Sequence, residues 1–259
     1  MPDTIIMRLY GQKRTMTKSE FPGNKSVALL LDPDKATEES LKNILNIAEE
    51  SSTDYIFAGG SLTFSSIDRL IGSVRRMCNI PVVLFPGNLL QLSREPDLIL
   101  LLSLISGRNP ELLIGNHVIA APYLIDLREK LISTGYILVG CGTKTSVEYI
   151  SQTESIPADK TEIIVATAIA GEMLGLQIIY LEAGSGAKHP VPPDVIRSVR
   201  NHISVPLVVG GGLKTGRDIS ESFSAGANLV VLGNGCEKNP DLLMKACRTR
   251  DEFRNNNFT

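Results

Sequence analysis

Eight short apolar runs joined by helix-like segments predict an α/β chain folded as a modified (β/α)8 TIM barrel. The chain has 259 residues, 43% hydrophobic and 21% charged, a size that suits one such barrel. The runs VALLL (27–31), DYIFA (54–58), PVVLF (81–85), DLILLLS (97–103), YILVG (136–140), QIIYLE (177–182), PLVVG (206–210) and NLVVLG (228–233) are nearly continuous rather than alternating. Strands covered on both faces of a parallel sheet read this way. The third observation is the pair of glycine clusters that follow the last two runs, where barrels commonly build a phosphate site.

Residues 1 to about 25 form an N-terminal extension with scattered charges and no apolar core of signal-peptide length, so a cytoplasmic protein is expected. TEESLKNILNIAEE (37–50) opens with Thr37-x-x-Ser40, an approximate capping box, and continues at helical spacing. SSIDRLIGSVRRM (65–77) is the next helix candidate. Only PGNLLQLSREP (86–96) separates the third and fourth runs, which is short for a crossover helix. A short or missing helix after strand 3 is therefore expected, with an opening in the helical ring. PELLIGNHVIAAPYL (110–124) reads as a helix, and polar residues 141–160 as a site-lining loop or mobile lid. TEIIVATAIAGEML, PDVIRSVRNH, GRDISESFSAG and PDLLMKACRTR are the remaining helices, and DEFRNNNFT a frayed tail. No linker or repeat divides the chain, so residues 1–259 read as a single domain. The run LILLLSLI (98–105) is too short to span a bilayer.

A net charge of −2 gives no basic footprint for nucleic acid. Cys78, Cys141, Cys236 and Cys247 lie far apart with no CxxC pair, which suggests reduced thiols and no zinc site. His117, His189 and His202 fall in helices or a loop, and none is placed as a catalytic base.

In a barrel the chemistry collects at the C-terminal ends of the strands. Those ends read Asp32-Pro33-Asp34-Lys35, Gly59-Gly60-Ser61, Glu182 with Gly184-Ser185-Gly186, Gly210-Gly211-Gly212, and Gly233-Asn234-Gly235. Either glycine cluster alone fits a tight turn as well as a ligand; the two together favour phosphate held by backbone N–H groups. Asp32 is a candidate ligand for Mg²⁺ with the Ser61 hydroxyl, although on spacing alone a helix cap or turn former before Pro33 is the better reading. Asp34 fits a carboxylate at the start of the 37–50 helix. Glu182 stands alone at the end of an apolar strand, before residues small enough to let a ligand approach the backbone.

LLLDPDK, FAGGS, VVLFPGN, SLISGRNP, YLEAGSGA, VVGGG and VVLGNG, in this order from Ala28 to Cys236, resemble the geranylgeranylglyceryl phosphate synthase family, which includes bacterial heptaprenylglyceryl phosphate synthases. FPGN and SGRNP are similar to the branch with many archaeal and some bacterial members. The firmicute branch usually has a lysine two residues before the strand-1 aspartate; Leu30 stands there, so that lysine's phosphate contact is not carried over. The resemblance implies a Mg²⁺-dependent prenyltransferase that joins a polyprenyl diphosphate, of the geranylgeranyl class, to the 3-hydroxyl of sn-glycerol 1-phosphate. Asp32 and Ser61 would hold Mg²⁺ on the diphosphate. Tyr180, Leu181, Glu182, Ala183, Gly184, Ser185, Gly186, Gly211, Gly212, Gly233 and Asn234 would bind glycerol phosphate. Glu182 would orient the attacking hydroxyl or take its proton, and Tyr180 would touch the same substrate or flank the cationic carbon. A homo-oligomer is expected, and a lipid product implies transient contact with a membrane surface. Leu89, Leu90 and Ala120 are candidates for the floor of the prenyl groove. The competing reading is an isomerase or lyase acting on a phosphorylated sugar or amino-acid precursor, with Asp32 and Glu182 as acid and base.

Overall fold

The computed structural model of the chain describes residues 16–142, 144–233, 235, 236 and 239–256. Parallel strands β1 (Ser26–Leu31), β2 (Tyr55–Ala58), β3 (Val82–Leu84), β4 (Leu98–Leu104), β5 (Leu131–Gly140), β7 (Ile178–Glu182), β8 (Leu207–Gly210) and β9 (Leu229–Leu232) close into a ring. Ser26 of β1 pairs with Leu229 of β9, and Ile99 of β4 with Leu131 of β5. The two-residue β6 (Ile156–Pro157) sits on the end of β5, outside the ring. All eight apolar runs are barrel strands, as the sequence predicts.

Side chains alternate across a strand, and here the two sets form two cores. Ala28, Tyr55, Phe57, Val83, Leu100, Tyr136, Tyr180, Val208 and Val231 fill the barrel. Val27, Leu29, Ile56, Leu84, Ile99, Ile179, Leu181 and Val209 pack outward. The same period turns Glu182, two residues after Tyr180, toward the inside of the C-terminal rim.

The outer ring comprises α1 (Glu38–Glu50), α2 (Ile67–Met77), α3 (Asn116–Leu124), α4 (Ser146–Ser151), α5 (Thr161–Met173), α6 (Pro193–Arg200), α7 (Gly216–Ser224) and α8 (Asp241–Asn256). Thr37 caps α1 as expected, its hydroxyl accepting from the Ser40 N–H at 3.2 Å. Between β3 and β4 there is only the 3₁₀ turn Leu89–Gln91, so the helical ring is open there.

Three expectations need correction, the first being the tail: the residues read as frayed continue α8 as far as Asn256. β5 begins at Leu131, five residues before the apolar run, because Ile99–Leu104 of β4 pair with Leu131–Tyr136. The polar Ser133 and Thr134 hide this start, although Thr134 is buried and satisfies its hydroxyl on the Ile132 carbonyl at 2.9 Å. The 141–160 segment is not a plain loop, since it carries α4 and β6. Thr145 and Glu148 form a reciprocal capping box that starts α4, and the Glu148 carboxylate also accepts from the Ser155 N–H at 3.1 Å.

At the opposite, N-terminal end of the barrel, Asp54 accepts from the Val27 N–H at 2.9 Å, from Arg250 at 2.7 Å and from Arg254 at 2.8 Å. Arg250 is 1% exposed and also donates to the Ser52 carbonyl. This knot ties α8 to the first two strands. Removing Asp54 leaves Arg250 with the half-exposed Asp251 at 2.8 Å as a countercharge and takes the acceptor away from Arg254 and the buried Val27 N–H. Asp54→Ala is therefore expected to lower the unfolding free energy by roughly 3 kcal/mol in urea titrations. Arg217→Ala, which breaks an exposed pair with Glu221, should leave the midpoint unchanged.

Candidate active site

The C-terminal rim encloses a cavity of about 1360 Å³. Asp32, Ser61, Glu182, Ser185, Gly186, Gly212 and Gly233 all line it, so residues from five strand ends meet in one space. Lys35, Lys144 and Lys214 line it as well. Tyr180, Leu181, Ala183, Gly184 and Gly211 do not, and Asn234 lies outside the described residues. Leu181 points outward among the helices, and Tyr180 is 0% exposed beneath the cavity floor.

Glu182 is 7% exposed, and among the described residues it makes no ion pair. Its Oε1 accepts from the Gly184 N–H at 2.7 Å. The glycines at the end of β8 make room for it. A Cβ on Gly211 would overlap Oε1, and one on Gly210 would stand 2.8 Å from Oε2 and overlap the Tyr180 hydroxyl. The VVGGG run is thus first a socket for the Glu182 carboxylate. Burial pushes the Glu182 carboxyl up to about 7, against smaller lowering effects of the Gly184 N–H and the nearby Tyr180 hydroxyl. That hydroxyl is close enough to act on the carboxylate, yet its geometry falls short of a formed hydrogen bond. Burial also raises the Tyr136 and Tyr180 hydroxyls far above the usual tyrosine range, with Glu182 adding to both. Cys141 is pushed up to about 11 by burial and then by Glu182, so this buried thiol stays protonated.

Asp32 faces the cavity from the end of β1, with Lys35 Nζ 3.3 Å from its Oδ2 and the Asp34 N–H 3.1 Å from its Oδ1. Asp34 does not cap α1. It accepts from the N–H groups of Phe64 (2.9 Å) and Ser65 (2.7 Å), and the Phe64 bond is the largest influence holding its carboxyl low. The Asp34 side chain therefore ties the Ser61 loop to the Asp32 loop. On the other side, buried Gln91 donates to the Gly60 carbonyl at 2.7 Å and accepts from the Gly87 N–H at 3.1 Å. Among the described residues no three His, Cys, Asp or Glu side chains gather as a metal cage. A carboxylate and a hydroxyl on one cavity wall instead suit a hard cation that takes its other ligands from water and substrate phosphate.

A second, apolar space of about 300 Å³ adjoins the first. It is lined by Leu89, Leu92, Ile99, Leu101, Leu112 and Ala120, and occupies the gap left by the missing helix. Leu89 and Ala120 stand where a groove floor was expected, whereas Leu90 is 95% exposed and takes no part. Gly60, Ser61, Phe85, Tyr136, Val147 and Ile150 line both spaces. The sequence reading assigned no role to Phe85, Tyr136, Gln91 or the three lysines. Inward register in β5 was the available signal for Tyr136, and a strand-end position the signal for Lys35.

An eight-stranded parallel barrel with a polar cavity opening into an apolar groove at its C-terminal rim places the chain among the TIM-barrel proteins. The chain belongs to the PcrB family, whose model matches residues 23–250. It is 46% identical over 235 residues to the geranylgeranylglyceryl phosphate synthase of Spirosoma linguale, covering 90% of this chain and 94% of the relative. The enzyme of that name from Korarchaeum cryptofilum is 39% identical, with 84% of this chain and 89% of the relative covered. The crystal structure of (S)-3-O-geranylgeranylglyceryl phosphate synthase from Thermoplasma acidophilum with its substrate sn-glycerol-1-phosphate superposes with a TM-score of 0.83 at 28% identity. The match covers 89% of this chain and 94% of that one.

The folded Glu182 carboxyl holds its proton to about pH 7, whereas an ordinary glutamate loses it near 4.5. Its contribution to stability is present below the lower value and is lost as pH rises through the upper one. Relative to wild type, Glu182→Gln should gain roughly 3 kcal/mol between about pH 4 and about pH 8. Denaturant titrations of both proteins at the two pH values measure this, and an unchanged difference contradicts the burial of an uncompensated carboxyl.

Proposed function

We propose that this chain joins a polyprenyl diphosphate of the geranylgeranyl class to the 3-hydroxyl of sn-glycerol 1-phosphate, forming an ether and releasing diphosphate. The observation that carries this reading is the junction of the two spaces. A substrate with a hydrocarbon tail and a diphosphate head needs an apolar groove that runs into a cationic cavity. Lys35, Lys144 and Lys214 supply the charge, and Leu89, Leu101 and Ala120 supply part of the groove wall. An isomerase or lyase of phosphorylated sugars has no use for the groove.

The glycerol phosphate is proposed to lie against Gly186, Gly212 and Gly233, with Lys214 beside them. Open backbone there admits phosphate oxygens to N–H groups. Its 3-hydroxyl then faces Glu182, which accepts hydrogen bonds, orients the nucleophile and takes its proton as the ether forms. A carboxyl near 7 is well matched to accepting a proton at neutral pH. Lys35 balances charge on the leaving diphosphate. Mg²⁺, held by Asp32 and Ser61, would when bound neutralise further phosphate charge and favour departure of the leaving group. Tyr180 supports Glu182 from below. The described residues contain no helix long and apolar enough to cross a membrane. A cytoplasmic homo-oligomer that passes its lipid product to a membrane surface completes the proposal.

Incubation with labelled sn-glycerol 1-phosphate and C15, C20 or C35 prenyl diphosphates should yield an ether product, with C20 turned over fastest. Chelation of divalent cations and Asp32→Asn should each cut turnover by about 100-fold or more. No ether product with any donor would overturn the reading.

The phosphate position is tested best at Gly233. Gly212 has φ +69 and a Cβ there would overlap the His189 carbonyl, so substitution distorts the loop. Gly233 carries no such strain, and a Cβ would meet only Leu30 at 3.7 Å or beyond. Gly233→Ala should raise KM for glycerol phosphate by about 10-fold and leave KM for the prenyl donor and the melting temperature unchanged. Equal changes in both KM values would remove phosphate from this position.

A further inference from the structure

We infer that Gln91 is a positioning residue for prenyl transfer, its side-chain amide fixing the Gly60–Ser61 peptide as the wall along which the donor's tail and diphosphate are aligned. The inference rests on the substrate reading above and adds to it the group that sets the alignment. Gly60 and Ser61 line both the apolar groove and the polar cavity, whereas Gln91 lines neither. It acts through its neighbours.

The backbone shows why a side chain is needed there. The ladder between β2 and β3 ends where the Phe85 N–H donates to the Ala58 carbonyl at 2.9 Å. Gly60 lies two residues beyond Ala58, past the last strand pair. The Gln91 amide takes over at that point. Its Nε2 donates to the Gly60 carbonyl at 2.7 Å, and its Oε1 accepts from the Gly60 N–H at 3.4 Å and the Gly87 N–H at 3.1 Å. A flipped amide would set its NH2 group against both N–H donors, so the network admits one orientation. Gln91 is 2% exposed, which makes these bonds costly to lose.

The FPGN run, residues 85–88, delivers the amide. Asn88 Oδ1 accepts from the Leu90 N–H at 2.9 Å, and the Asn88 carbonyl accepts from the Gln91 N–H at 3.2 Å, which fixes the 3₁₀ turn that carries Gln91. A Cβ on Gly87 would overlap the Gly60 carbonyl and stand 3.0 Å from the Ser61 Cα, so the two loops touch through bare backbone. A Cβ on Gly60 would in turn stand 3.4 Å from the Asp32 Cγ. The Gly60–Ser61 peptide is thus packed between Gly87 and Asp32 and held in place by Gln91. With no crossover helix after β3, the short turn leaves the groove open, and its one buried amide braces the groove's mouth. A misplacement of about 1 Å in such a wall can cost on the order of 100-fold in rate.

The test compares Gln91→Met, which keeps the length and removes the hydrogen bonds, with Gln91→Glu, in which only the protonated acid can donate to the Gly60 carbonyl. All proteins are assayed at a temperature where each is folded. Gln91→Met should lower kcat for ether formation by about 30-fold. It should weaken binding of inorganic diphosphate in the presence of Mg²⁺, read by calorimetry, by about 10-fold and leave KM for glycerol phosphate unchanged. In Gln91→Glu the rate relative to wild type should rise as pH falls, because protonation restores the donor. Asp54→Ala, whose lesion lies at the opposite end of the barrel, controls for lost stability and should keep the wild-type rate and diphosphate affinity. If Gln91→Met melts lower yet matches wild type in kcat and diphosphate affinity, Gln91 only stabilises its loop and the inference is overturned while the substrate reading stands. If the unsubstituted protein makes no ether with any donor, the substrate reading fails and takes this inference with it.

Discussion

A buried carboxylate that makes no ion pair among the described residues governs the C-terminal rim of this barrel. Desolvating Glu182 is costly, and its one formed hydrogen bond, from the Gly184 N–H, offsets only part of that cost. The rim is shaped around this side chain. Gly210 and Gly211 carry no side chains because the carboxylate and the Tyr180 hydroxyl occupy that volume. The YLEAGSG turn bends back so that its own amide can reach Oε1. Thr145, at the start of α4, packs on Gly184 closely enough that no larger residue fits there. The result is a carboxyl that burial holds up at about 7, against the lowering effects of the Gly184 N–H and the Tyr180 hydroxyl.

The missing helix after β3 has the opposite character, since it is a gap rather than a filled socket. With only a 3₁₀ turn in place of a crossover helix, the outer wall of β3 and β4 is left to line an apolar groove under α3. That groove would be an unstable feature without anchors at its mouth. Gln91 supplies one by bonding to the strand-end loops on both sides, and Asp34 supplies another by clamping the N–H groups of Phe64 and Ser65. Both are positioning residues that never face the groove's contents. Their common effect is to keep Asp32, Ser61 and Phe85 in register across three loops.

Local pattern made the strands legible because each is buried on both faces and therefore continuous in apolar residues. The strand-end logic of a barrel then marked Asp32, Ser61 and Glu182 correctly as neighbours in one cavity. What the sequence hid depends on contacts between distant segments. The first five residues of β5 are extended because β4 lies beside them, not because LISTG favours a strand. Phe85 and Tyr136 look like any core aromatics until register turns both toward the same junction. The glycines of VVGGG suggest phosphate, yet Gly210 and Gly211 answer first to the bulk of Glu182 and Tyr180. α4 was readable in principle, since Thr145-x-x-Glu148 is a capping box, but the polar residues around it masked so short a helix.

The central claim is that Glu182 titrates near neutrality in the folded protein because burial raises its carboxyl and no described residue forms an ion pair with it. Its carboxyl carbon, labelled with ¹³C and assigned by comparison with Glu182→Gln, can be followed by NMR across the pH range. The account predicts an inflection at about pH 7 that vanishes in the Gln variant. An inflection in the ordinary glutamate range near 4.5 would contradict it, and would show that a cation or additional hydrogen bonds hold the carboxylate in solution.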